Sequence, residues 1–139
     1  MVHTTEDRPA TRSTDPVLVA LQVTAVLTVV NLLWQFVSAG ELIGRFGNEA
    51  WEEPHGVGAI VLHVVSGLAM LAAAALWRLR GAPLWPTVLA AVVFVLSFVQ
   101  AYFGGGRTLW IHVPGAMILT VGAVWLAVWS FRPAARART

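Results

Sequence analysis

Polarity along the chain alternates between long apolar runs and short polar breaks. Four runs stand out, at about 16–39, 54–77, 83–103 and 108–131, and none contains Asp, Glu, Lys or Arg. Each is long enough to carry a helix across roughly 30 Å of hydrocarbon, which takes about 20 residues. The pattern predicts an all-α membrane protein with four transmembrane helices. The breaks at 78–83 and 104–107 are short and join antiparallel neighbours, so an up-down-up-down bundle is expected. The remaining break, 40–53, reads as one long loop holding Glu41, Glu49, Glu52 and Glu53 against Arg45. The first run is too long for a signal-peptide core of roughly 7 to 15 residues, and Glu6, Asp7 and Asp15 precede it, so it is read as a retained helix. The expected organisation is a disordered cytoplasmic tail over 1–15, the transmembrane domain over 16–131, and a basic cytoplasmic tail over 132–139.

Charge gives the helices a direction. With the amino terminus inside, the inner segments hold Arg8, Arg12, Arg78, Arg80, Arg132, Arg136 and Arg138, and the outer ones only Arg45 and Arg107. The positive-inside rule selects this orientation, with both termini cytoplasmic, in a cell (plasma) membrane. Trp34, Trp51 and Trp110 then fall near the outer boundary, and Trp77, Trp85 and Trp129 near the inner one, where amphipathic rings belong.

Composition narrows the chemistry. Of 139 residues, 58% are hydrophobic and 12% charged, the balance of a chain whose main partner is the lipid bilayer. There is no cysteine, which removes disulfides, thiolate metal sites and cysteine nucleophiles together. The net charge is only +2 and the arginines are scattered, so the clustered basic face of a nucleic-acid binder is missing.

The second half of the chain echoes the first. His55, Gly58, Ala59 and Leu62 share a spacing with His112, Gly115, Ala116 and Leu119. Gln35 lies five residues before Gly40, as Gln100 lies five before Gly105. The first helix hairpin is therefore expected to repeat in the second, the two parallel and related by an axis along the membrane normal.

A rise of about 1.5 Å per residue from the inner arginines puts His55 about 4.5 Å from the level of His112, and His63 about 7.5 Å from it in the opposite sense. Two imidazoles facing each other across a bundle supply both axial ligands of a haem iron. They make a poor zinc site, which needs three or four protein ligands. His55 is the better level partner of His112, with His63 the alternative ligand. His63, well inside the apolar zone, is otherwise satisfied by a neutral hydrogen bond to Gln35, Asn31 or Gln100. Arg107 and Arg45 are the outer cations available to haem propionates, and Trp110, Tyr102 and Phe103 are expected at the pocket edge.

These residues carry a resemblance. Glu52, His55 and Ala59, with His112 and Ala116, resemble one four-helix half of haem A synthase, as small four-helix membrane proteins of that type do. The resemblance implies a haem b held by the second- and fourth-helix histidines, with Glu52 matching the glutamate of the catalytic half. Gly56 stands where that family commonly has Arg, the outer-loop cysteine pair is absent, and only one half is present. The family's oxidation of a haem methyl group is accordingly not carried over. A homodimer would imitate the fused enzyme, and a larger membrane complex is the other arrangement considered. The leading expectation is a b-type haem protein that transfers electrons or handles haem, with the question of an enzymatic activity left open. One alternative is a small carrier or proton-linked transporter using His63, Asn31, Gln35 and Gln100 as a polar path. The other is a non-catalytic accessory subunit, whose Gly58, Gly67, Gly115 and Gly122 serve helix packing alone.

Overall fold

The computed structural model describes residues 15–44 and 49–136. Arg8, Arg12, Arg45 and Arg138 lie outside the described residues, as does the amino-terminal tail up to residue 14. Helix α1 (Pro16–Gly44) is followed by a 3-10 turn (Glu49–Trp51), α2 (Glu52–Arg80), α3 (Trp85–Tyr102), a second 3-10 turn (Gly106–Thr108), α4 (Leu109–Ser130) and a single turn, α5 (Pro133–Arg136). No strand occurs among the described residues. Four helices are long and apolar enough to cross a membrane.

The expected long loop at 40–53 is mostly helix. Helix α1 runs on to Gly44, because one glycine costs a helix only about 1 kcal/mol and Glu41 favours it. Helix α2 starts at Glu52, where two glutamates meet the positive end of the helix dipole and Pro54 sits in the first turn, which tolerates it.

At the other end the boundaries are chemically marked. Asp15 caps α1: its Oδ1 accepts the Val17 N–H at 2.8 Å, and Pro16 takes the first helical position. The second carboxylate oxygen accepts from Arg80 Nε at 2.7 Å, so one side chain ties the start of α1 to the end of α2. Helix α2 then stops at Gly81, which has φ +66°, the left-handed conformation that a glycine adopts without strain.

Helix α1 packs against α2 and α4, and α3 packs against the same two. Polar groups lie inside and large apolar side chains outside. Thr28, Ser38, Ser66, Ser97, Gln100 and Ser130 are buried, whereas Leu71, Ile118 and Trp125 are more than 60% exposed. Water would penalise such a surface, while hydrocarbon suits it.

Burial follows the same stripe in both halves. In α1 the buried residues Leu21, Ala25, Thr28 and Leu32 match Pro86, Ala90, Val93 and Ser97 of α3 at a constant offset of 65 residues (86 minus 21). In α2, Leu62, Ser66 and Ala69 match Leu119, Ala123 and Leu126 of α4 at an offset of 57 (119 minus 62). Two hydrogen bonds between the hairpins obey both offsets at once. Gln22 Nε2 donates to Ser130 O at 2.9 Å, and its counterpart Thr87 Oγ1 donates to Ala73 O at 3.0 Å. The glycines named from the sequence all lie against a neighbouring helix: Gly58 against Gln35 and Trp34, Gly67 against Phe94, Gly115 against Gln100, and Gly122 against Val93 and Leu89.

Candidate functional site

His55 and His112 are each the fourth residue of their helix, α2 and α4 respectively. Both therefore stand at the same end of the helix set, one turn outside the first core glycine, Gly58 or Gly115. Each ring is half-buried.

In the first hairpin, Gln35 reaches across from α1 and donates from Nε2 to the His55 carbonyl at 3.1 Å. Its amide occupies the space that a Cβ on Gly58 would need. Trp34 donates from Nε1 to the Pro54 carbonyl at 3.3 Å and lies 6.0 Å from the Trp51 ring. The His55 imidazole itself is held by Ser38, with Nδ1 and Oγ 2.9 Å apart. A hydroxyl has one proton to give, and Ser38 gives it to the Gln35 carbonyl at 3.2 Å. With its proton there, Ser38 accepts from His55 Nδ1–H, which leaves the lone pair on Nε2; turned toward Nδ1 instead, the same hydroxyl selects the other tautomer.

The second hairpin reaches the same tautomer by a shorter route. His112 Nδ1 lies 2.9 Å from the Gln100 carbonyl oxygen, which can only accept, so His112 also carries its proton on Nδ1. That carbonyl is available because α3 ends at Tyr102, and the last carbonyls of a helix have no partner within it. Helix α1 continues nine residues beyond Gln35, to Gly44, so the Gln35 carbonyl is engaged in the helix ladder and the imidazole meets it through Ser38. The Gln100 amide fills the space above Gly115, repeating the Gln35–Gly58 contact, and its Oε1 is buried without a donor.

His63 is placed differently. Its ring stacks on Phe98 of α3 with centroids 4.0 Å apart, and its Nδ1 lies 2.8 Å from Ser97 Oγ. Ser97 also lies 2.6 Å from the Phe94 carbonyl, to which it donates, so the same serine links His63 to the backbone of α3. Its partner is thus Ser97, not the expected Gln35, Asn31 or Gln100. Asn31 Oδ1 is buried without a donor. Glu52 and Arg107 are exposed, at the start of α2 and in the second 3-10 turn. Tyr102 and Trp110 are largely exposed, and Phe103 lies edge-on to Tyr102 at 5.1 Å. Ser38 and Ser97 escaped sequence reasoning because a serine in an apolar helix reads as a small packing residue.

Both His55 and His112 thus have an Nδ1 held by a hydrogen bond and an Nε2 with no hydrogen-bond partner among the described residues. Anchoring through one ring nitrogen is how proteins orient a histidine that ligates through the other. No group of three or more His, Asp or Glu that could hold a metal by itself occurs among the described residues. Two imidazoles without further ligands suit only a metal that brings most of its other ligands with it. In comparisons with known proteins the chain matches no family model, no curated protein and no solved structure.

Proposed function

We propose that the chain is a multi-pass membrane protein that binds haem b between His55 and His112 and serves electron transfer or haem handling. The observation that carries this reading is the matched pair of anchors: two histidines at the same turn of α2 and α4, both held through Nδ1, both with a bare Nε2. A bound haem would supply a one-electron couple. The chain's own part is to fix the rings through Ser38 and the Gln100 carbonyl, and to surround them with apolar helix faces. Arg107 is available at that end for a propionate. Glu52, exposed beside His55, would tune the charge around the site.

The offsets of 65 and 57, kept by buried positions, Gln–Gly contacts and inter-hairpin hydrogen bonds alike, support two parallel hairpin repeats. In the membrane the repeats would form an up-down-up-down bundle, histidines toward the outer face and both termini in the cytoplasm. The shared register of His55 and His112, each the fourth residue of its helix, favours His55 over His63 as the partner of His112. An absorbance spectrum of protein purified with added haem tests the proposal. A Soret band that sharpens and shifts on reduction is expected, lost in the His55→Ala plus His112→Ala variant and kept in His63→Ala. Absence of the band in the unaltered protein, or its survival in the double variant, rejects the reading.

A further inference from the structure

Resting on that haem reading, we infer that the two histidines are unequal ligands: Ser38 is the positioning residue of His55, and because it holds that ring less firmly than the Gln100 carbonyl holds His112, His55 is the exchangeable one. A small neutral ligand of ferrous haem, such as carbon monoxide, would enter on the His55 side.

The inference starts from a break in the repeat. At the offset that relates α1 to α3, Ser38 corresponds to Phe103, which has no hydroxyl. The structure shows what the difference does. His112 donates directly to the Gln100 carbonyl at 2.9 Å, an end-of-helix carbonyl with no ladder partner. His55 is held instead by a hydroxyl, Ser38 Oγ at 2.9 Å, which also lies 3.2 Å from a carbonyl that α1 already uses. An unshared amide oxygen is the stronger acceptor, so it draws more proton density from Nδ1 and leaves more electron density on Nε2 of His112 than of His55. Backbone also fixes position better than a side chain. Gln100 O moves only with α3, whereas Ser38 Oγ can rotate about its own Cα–Cβ bond. Ser38 is fully buried, so no water substitutes for it in the folded protein.

The experiment uses the full chain loaded with haem b, with ferrous spectra recorded under dithionite and carbon monoxide. Ser38→Ala is expected to retain haem through His112 and to bind carbon monoxide at least tenfold more tightly than the unaltered protein. Ser38→Thr, which keeps the hydroxyl, is expected to restore the unaltered behaviour. His55→Ala should hold a five-coordinate haem, and His112→Ala should lose it. Carbon monoxide affinity unchanged in Ser38→Ala, or haem kept by His112→Ala and lost by His55→Ala, overturns the inference while the haem reading stands. No Soret band in the unaltered protein rejects the haem reading itself, and the inequality of ligands with it. Should Ser38→Ala fail to fold, the two histidine variants decide the order of the ligands.

Discussion

Glycines in this chain differ by what stands over them. A Cβ on Gly58 would lie 2.9 Å from Trp34 Cδ1 and closer still to the Gln35 amide, and one on Gly115 would lie 2.9 Å from Gln100 Cδ. Nothing lies within 4 Å at Gly56. Gly58→Ala must displace the amide that holds the His55 carbonyl, and Gly115→Ala the one beside His112. Each is expected to cost about 1–3 kcal/mol, as overpacking does, read as a lower Tm in detergent, while Gly56→Ala, helical and with open space above it, leaves Tm unchanged or raises it. Asp15 obeys a different physics. Burial raises the pKa of its carboxyl, but the Val17 N–H and the Arg80 guanidinium outweigh it and hold the group below its ordinary value of 3.8. A depressed carboxylate stabilises the fold above the unfolded pKa and loses that contribution as pH falls through the lower, folded value. Stability should therefore decline below about pH 4, more steeply in the unaltered protein than in Asp15→Asn, which keeps a capping oxygen but no charge. Parallel acid titrations followed by circular dichroism would show it, and identical curves would remove Asp15 from the explanation.

Single elements show where pattern sufficed and where geometry was needed. The four helices were legible because an uncharged run of about 20 residues has few alternatives to a membrane-crossing helix. Their ends were less so. Gly40 and Glu41 read as loop, yet α1 passes through both, since one glycine is a small penalty against continuing a helix of 29 residues. Gly81 was part of an expected turn, but only its φ of +66° shows that it ends α2. Any residue with a Cβ pays to adopt that conformation, so Gly81→Ala should cost about 1–2 kcal/mol and lower Tm, whereas the same change at exposed Gly106, where φ is not positive, should not. The site was half legible. His55 and His112, with Gln35 and Gln100, were found by their register. The two serines that hold His55 and His63 were not, because nothing in a linear pattern tells which serine on one helix faces a histidine on the next. Nor does it tell that the end of α3 at Tyr102 frees the Gln100 carbonyl for His112.

At the scale of the whole molecule, the direction of the helices decides whether the histidine end meets the outside. Arginines at 78, 80 and 132 cluster at the end opposite His55 and His112, where the Asp15–Arg80 contact also lies. The positive-inside rule turns that clustering into an orientation, and the absence of native cysteine makes it directly measurable. Gly106 is exposed in the 3-10 turn preceding α4, at the histidine end, and Ala134 is exposed in α5, beyond the other end of α4. A single cysteine at either position gives one reactive thiol per chain. In intact cells Gly106→Cys should react with a membrane-impermeant maleimide and Ala134→Cys should not, the latter becoming reactive once the membrane is opened. The opposite result would put the imidazoles at the cytoplasmic face and send any electron exchange to cytoplasmic partners. Labelling of both in intact cells would mean that the two turns do not lie on opposite sides, and with that the up-down-up-down crossing of the four helices would fall.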